Sequence, residues 1–197
     1  AKELKKRVVY DFRQSDLRNG GEGAPLAPIY HQLIVKKNKL MGNTCFINIG
    51  GISNISICSS SRKIIAYDTG PGMCLLDKYV TQTKNILFDQ NGKFSSKGKI
   101  DWNLINKLMQ DNYFKKKYPK SLDNNYFKLS PFKHLDFFDT CATISAFTAV
   151  SIVQSLKTHR IEKAIITGGG SKNKFIIKLV KDLSNVQIIS NKDLDIK

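Results

Sequence analysis

Apolar and polar positions fall into short, separated blocks from residue 44 to the end of the 197-residue chain. Thr44–Ile49 and Ile52–Cys58 are apolar runs divided by Gly50-Gly51, which reads as a β-hairpin with polar Asn48 and Asn54 beside its turn. A third strand is predicted over 63–67. It leads into Asp68-Thr69-Gly70-Pro71-Gly72, read as a turn with Asp68 at the strand's end. A helix follows over about 73–81, where Leu75, Leu76, Tyr79 and Val80 recur at helical spacing. Residues 82–138 are rich in Lys and Asn and read as an irregular insert. One helix stands out within it, over 102–110, with Asp101 as its N-cap and Leu104, Ile105, Leu108 and Met109 on one face. A long helix over 139–157, a strand at Lys163–Thr167, a Gly168-Gly169-Gly170 turn, a helix over 173–183 and a strand over 186–190 complete the pattern. Upstream, a short strand over 7–10 opens a Gly- and Pro-dense segment that runs to residue 31.

The order is β-β-β-α, an insert, then α-β-α-β. It predicts an α/β fold whose mixed sheet starts as an antiparallel meander and continues with parallel strands flanked by helices. That order fits the ribonuclease-H-like lobe found twice in actin-like ATPases. With no internal repeat, a single lobe is expected. The expected division is a motif-rich segment over 1–43 that joins two lobes, then a lobe over 44–197 carrying the insert at about 82–138.

Composition narrows the function classes. Hydrophobic residues make up 41% of the chain, enough for one core but short for two lobes that close on a ligand. No run of 18 apolar residues occurs, because Ser145, Thr148 and Ser151 interrupt the richest stretch, so no membrane span is expected. The charged first residues lack the apolar core of a signal peptide, and the chain starts with Ala rather than Met. A processed product or a fragment, located in the cytoplasm, is the expectation. Cys45, Cys58, Cys74 and Cys141 form no CxxC pair and read as reduced thiols of a cytosolic protein. His31, His134 and His159 have no metal-ligand spacing, and no metal-binding residue is assigned. The net charge of +16 comes from lysines spread along the chain without interleaved aromatics, a pattern that argues against nucleic-acid binding.

Three glycine turns sit at strand ends. Gly50-Gly51 lets backbone approach a phosphate and point N–H groups at it, although an ordinary tight hairpin also needs it. Asp68-Thr69-Gly70 places a carboxylate at a strand end, where ligands of metals and substrates sit, or simply caps a helix. Gly168-Gly169-Gly170, followed by a helix-opening Asn173, offers bare backbone to a flat or anionic group, or packs a strand tightly against a helix. It matches neither the dinucleotide nor the P-loop fingerprint. A fourth segment, Asp11–Leu26, gathers Asp11, Arg13, Asp16 and Arg18 near three glycines and a proline. An Asp beside such a turn can act as general base, and arginines can hold anions, though a charged surface loop has the same composition.

Together these four segments resemble the anhydro-N-acetylmuramic acid kinase family. That family's DFRxxD…GGqGAPL, NiGGIaN, DTGPGN and cGGGxxN motifs match Asp11–Leu26, Asn48–Asn54, Asp68–Met73 and Gly168–Asn173. Phe88-Asp89-Gln90-Asn91-Gly92 and Pro119-Lys120-Ser121 echo two further stretches. The resemblance implies a two-lobed actin-like kinase using ATP and Mg2+. It would open the anhydro ring of anhydro-N-acetylmuramic acid and phosphorylate the 6-hydroxyl in cell-wall amino-sugar recycling. It implies Asp16 as the base that activates water, with Asp11 and Arg13 shaping the sugar site. Gly50, Gly51, Asp68 and Gly70 would face the phosphates and metal, and Gly168, Gly169, Gly170 and Asn173 the adenosine. The family's GTSxDG phosphate loop is absent from these residues, as is the C-terminal stretch expected after the last strand. Glu22, Met73 and Leu122-Asp123 depart from the family pattern. The partner implied is a separately encoded N-terminal lobe or a second copy of the chain. A nucleotide-binding or assembly module of the same superfamily, without sugar chemistry, is the competing reading; it has no need of Asp16.

Overall fold

The computed structural model describes residues 3, 5–21, 23, 26–40, 42–58, 64–189 and 194. Their elements run α1 (Phe12–Arg18), α2 (Pro28–Lys37), β1 (Thr44–Ile49), β2 (Ile52–Cys58), β3 (Ile64–Pro71), α3 (Cys74–Lys84), α4 (Trp102–Leu108), α5 (Asn112–Lys115), α6 (Phe137–Thr158), β4 (Lys163–Thr167), α7 (Lys174–Leu183) and β5 (Gln187–Ile189). Among the described residues the strands form one sheet in the order β3-β2-β1-β4-β5. β2 is antiparallel to both β1 and β3, and β4 runs parallel to β1 and β5. This is the mixed α/β sheet with flanking helices that the element order predicts.

Strand alternation sorts side chains to two faces. Cys45, Ile47 and Ile49 of β1 join Ile55, Ile57, Ala164 and Ile166 under Ile152, Val153 and Leu156 of α6 and Ile176 and Val180 of α7. Phe46 and Ile165 point the other way, onto Ile34 of α2. His31 stacks on Phe46 at 4.2 Å between ring centroids. A third cluster joins α3, α4, α5 and the first half of α6 through Leu76, Ile105, Tyr113 and Phe147.

Several expectations need correction. Residues 7–10 form no strand, and Val9 and Tyr10 are 69% and 79% exposed, because they have no sheet neighbour to pair with. The sequence pattern also misses α2. Ile29, Tyr30 and Leu33 are exposed while Ile34 is buried, so no apolar stripe marks the helix. β3 does not stop at 67 but continues through Pro71, so Asp68 lies inside the strand rather than at its end. A register shift between Ser53 and Asn54 keeps the pairing going, and Pro71 is tolerated because β3 is an edge strand among the described residues. Lys63 and Ser190, at two predicted strand ends, lie outside the described residues. Asp101 caps α4 by accepting from the Leu104 N–H at 2.9 Å, as expected, although the helix stops at Leu108. The 82–138 stretch is irregular between its short helices, yet Leu104, Ile105, Tyr113, Phe114 and Phe132 are all buried.

α6 is long and apolar enough to cross a membrane by length and composition, but 72% of its apolar window is buried within the protein. The hydroxyls that interrupt its apolar run are used inside the fold. Ser145 Oγ lies 2.8 Å from Ser95 Oγ, and Thr148 donates to the Gly72 carbonyl at 2.9 Å. It is a core helix. Phe147, fully buried, meets Phe114 and Phe127 edge-on at 5.9 and 5.0 Å. Phe147→Ala should therefore cost about 3–5 kcal/mol of unfolding free energy. A urea-denaturation midpoint within error of the parent's would contradict that packing role.

Candidate functional site

The site is built on backbone before side chains. At the β1–β2 hairpin tip, Gly50 N–H donates to the Ile52 carbonyl at 3.2 Å. The Gly50 carbonyl accepts from Met73 N–H at 2.8 Å, and the Gly51 carbonyl from Gly72 at 3.0 Å and Cys74 at 3.1 Å. The tip thus satisfies the open N-terminus of α3, which has no side-chain cap. Gly72 must lack a side chain, since a Cβ there would lie 2.9 Å from the Gly51 carbonyl oxygen. The expectation that both glycines aim N–H groups at a ligand is narrowed, because Gly50's donor is already used.

β4 lies parallel to β1 with Thr167 opposite Asn48, which brings the second glycine turn beside the first. Gly168 has φ +83°, and a Cβ on it would lie 2.6 Å from the Ile49 carbonyl oxygen. Gly170 is buried against Ile49 and Met73. Gly169 has nothing within 4 Å of where its Cβ would stand. Asn173 caps α7, its Oδ1 accepting from Phe175 and Ile176 N–H at 3.1 Å each.

Between the two turns is a cavity of about 530 Å³. Gly50, Gly51, Gly169 and Asn173 line it together with Ile49, Met73 and Phe88, and so do Asp77 and Asp89. Asp89 is 2% exposed, and its carboxylate accepts from Phe94 N–H at 2.8 Å, Ser95 N–H at 3.0 Å and Ser95 Oγ–H at 2.7 Å. Asp77 is less well served. Its Oδ1 is buried without a partner, as is the Nδ2 of Asn173. Both residues line the same cavity, with these two atoms buried behind its surface. Burial, and then the charge of Asp89, push the Asp77 pKa up to about 6. Reading the motifs pointed to Asn173 but not to Asp77. The available signal was an Asp within the apolar stretch Leu75-Leu76, two residues before Tyr79-Val80.

Asp68 and Gly70 are not in this lining. The Asp68 carboxylate accepts from Leu122 N–H at 2.8 Å, its N–H donates to the Lys120 carbonyl at 3.1 Å, and its carbonyl accepts from the Tyr113 hydroxyl. Burial raises its pKa, and the Leu122 bond partly offsets that. Asp68 anchors the 120–122 stretch to β3. Gly70 lies against Ser151 of α6.

Asp11, Arg13 and Asp16 come together on α1 and its cap. Asp11, at φ 66°, precedes the helix and sits 3.7 Å from Arg18, both well exposed. Asp16 Oδ2 accepts the Gly23 N–H at 2.8 Å. A Cβ on Gly23 would lie 2.8 Å from Arg13 Cγ, and one on Gly21 2.5 Å from Asp16 Cγ, so these glycines let the following loop close over Arg13 and Asp16. Phe12, Ser15, Asn19 and Leu26 complete an open hollow beside Asp16 that shares no residue with the glycine cavity. Glu22, Ala24 and Pro25 of this segment lie outside the described residues.

The described residues thus form a mixed α/β domain whose glycine turns frame a cavity, the usual form of a candidate binding site. The family model for "Anhydro-N-acetylmuramic acid kinase" matches residues 1–197. Curated proteins of that name are similar as well. The one from Pelagibacter ubique is 40% identical over 188 residues, covering 90% of this chain and 50% of its own length. Those from Rhodopseudomonas palustris strain BisB18 (35% identical, 98% and 53% covered) and Legionella pneumophila strain Paris (40%, 84% and 47%) are comparable. The chain belongs to the anhydro-N-acetylmuramic acid kinase family. It spans about half the length of the curated relatives it matches.

Two outcomes test the cavity. Gly168→Ala should destabilise the fold by about 1 kcal/mol or more, from its positive φ and the nearby carbonyl, whereas Gly169→Ala should leave thermal stability within about 0.5 kcal/mol. Equal losses would mean that the two glycines do not divide the work this way. The second concerns Asp77, whose pKa is raised in the folded state. The fold keeps a proton that the unfolded chain releases from about pH 4, so this group's contribution falls as pH rises to about 6 and then stays low. Asp77→Asn should accordingly gain stability relative to the parent across that window and hold a constant advantage above it. Melting temperatures of the two proteins that differ by the same amount from pH 4 to 7 would refute the assignment.

Proposed function

We propose that this chain is the nucleotide-binding and base-supplying half of a kinase acting on anhydro-N-acetylmuramic acid. The observation that carries the reading is the cavity between the two glycine turns, where Asp77 and Asn173 each hold one buried polar atom free. ATP would lie there, its adenosine against Gly169 and Asn173, with Gly168 and Gly170 holding that turn against Ile49, and its phosphates towards Gly50 and Gly51. The donor set suits Mg2+ carried in with the nucleotide. That ion takes one or two carboxylates with phosphate oxygens and water, and Asp77 has the free oxygen. Mg2+ would neutralise phosphate charge during transfer. Asp68 and Gly70 would support this region from β3 rather than touch the ligand.

Asp16 would take the proton from a water that attacks the anomeric carbon of the anhydro ring. The bond from that carbon to the bridging oxygen breaks, and the freed 6-oxygen accepts the γ-phosphoryl group as ADP leaves. The Gly23 N–H orients the Asp16 carboxylate, and Arg13 and Asp11 would shape the sugar site beside it. We read 44–197 as a ribonuclease-H-like, actin-type lobe, supported by three antiparallel strands followed by parallel ones. Residues 1–43 would join it to the other lobe. The exposure of Val9, Tyr10, Phe12, Ile29 and Leu33 supports a covering partner there, whether the N-terminal half of a family enzyme or a second copy. The reaction would take place in the cytoplasm, where ATP is at hand.

The test restores the N-terminal half and measures sugar 6-phosphate formation. Asp16→Asn should lower turnover about 10²–10⁴-fold, because an amide cannot take the proton. Nucleotide affinity should hold, since the two cavities share no residue. Asp11→Asn, which loses an exposed pair with Arg18 and one group of the proposed sugar site, should weaken sugar binding and lower turnover less than Asp16→Asn does. A nearly normal Asp16→Asn beside a dead Asp11→Asn would move the base to Asp11.

A further inference from the structure

A second closed-in cavity, of about 240 Å³, lies against β3 and the end of α6 and shares no residue with the glycine cavity. One side of it is aromatic. Tyr67 and Tyr118 stack at 5.8 Å between centroids, and His159 closes a triangle at 5.7 Å from Tyr67 and 5.6 Å from Tyr118. The Tyr67 hydroxyl is fixed by His159 Nε2 at 2.9 Å. The other side is cationic, formed by Lys115, Lys116, Lys117 and Lys120.

A run of exposed lysines alone would be an ordinary solvated face. Lys120 is different. Its ammonium lies 4.5 Å from the Tyr113 ring centroid and 5.4 Å from that of Tyr67, and it donates to the Tyr113 carbonyl at 3.2 Å. Burial, and then the charge of Lys116, lower its pKa. Among the described residues no carboxylate pairs with any of these four lysines. The nearest acid along β3, Asp68, is turned to the Leu122 N–H. A half-buried ammonium crowded by like charge is stabilised by an anion, and the exposed Tyr118 ring beside it suits a flat or sugar ring joined to that anion.

We propose that this cavity binds a phosphate monoester of a sugar or nucleoside, its phosphoryl oxygens held by Lys120 and the Lys115–Lys117 run and its ring against Tyr118, which the buried Tyr67 backs. The site stands apart from the proposed kinase chemistry, since it uses none of the same residues. It also gives part of the +16 net charge a purpose.

The experiment is an NMR titration of the 197-residue chain, following His159, Tyr118, Gly169 and Asn173. Glucose 6-phosphate, AMP and unphosphorylated glucose are the probes. The expected result is saturable shifts at His159 and Tyr118 with at least one phosphate ester and none with glucose. Whether the sugar ester or AMP produces them identifies the ring, while AMP shifts confined to Gly169 and Asn173 report the other cavity and count against this one. Lys120→Met should weaken binding about tenfold or more, the size of a lost charge-assisted hydrogen bond. Lys116→Glu with Lys117→Glu, at exposed positions that folding does not need, should do the same. Unchanged affinity in the double variant would overturn the proposal. So would a random-sequence DNA duplex that binds far more tightly with a steep salt dependence, which would assign the lysines to nucleic acid.

Discussion

The carbonyls of Gly50 and Gly51, set against the first N–H groups of α3, are the contact on which the site depends. A helix begins with N–H groups that its own turns cannot satisfy. Met73 offers α3 no side-chain cap, so the hairpin tip does this work with bare backbone. The approach is close enough that Gly72 cannot carry a Cβ, and Thr148 ties the same glycine to α6 from the other side. Hairpin, edge strand, α3 and core helix therefore meet at one glycine-dense junction. The direction of α3 follows from it, and with that direction the place of Asp77, in the first turn of the helix, on the cavity wall.

Asp77 is poorly placed for stability. Its neighbour Asp89 has a full set of hydrogen bonds, yet Asp77 keeps one oxygen buried and unpartnered, at a raised pKa. An acid in that state costs the fold free energy. Asn173 shows the complementary case. Its oxygen is consumed in capping α7, which leaves its amide nitrogen for something else. Two residues of one cavity wall thus break the rule of polar satisfaction, which is where sequences commonly depart from it for function.

Much of this was legible in the residues, for identifiable reasons. The hairpin, β4 and the Asp101 cap could be read because their signals are local, namely paired glycines, a five-residue apolar run and an Asp ahead of a periodic helix. The end of β3 was misread because Thr69-Gly70-Pro71 has turn composition, and only the partner strand's register shift shows that pairing continues. α2 went unseen because its apolar residues point all round, which periodicity cannot detect. The glycine turns were visible, but not what each glycine does. Gly168 and Gly170 are required by contacts with Ile49, a residue more than a hundred positions away, while Gly169 faces open space. Asp77 was hidden for the same reason, since it becomes chemically distinctive only once the cavity has formed around it.

The two halves of the proposed chemistry rest on unequal supports. The glycine cavity is framed by a sheet and helices whose cores are buried, so its shape belongs to the fold itself. Asp16 is carried on a helix of seven residues with no buried position, its carboxylate held by the Gly23 N–H. A helix that short does not hold its geometry in water without packing. The exposed apolar side chains from Val8 to Leu33 are where such packing would attach. On the proposed function, nucleotide recognition would be inherent to this chain, whereas the placement of the base would come from whatever covers α1. On that arrangement an incomplete enzyme binds but does not turn over, and water is not activated beside a nucleotide before the sugar site is closed.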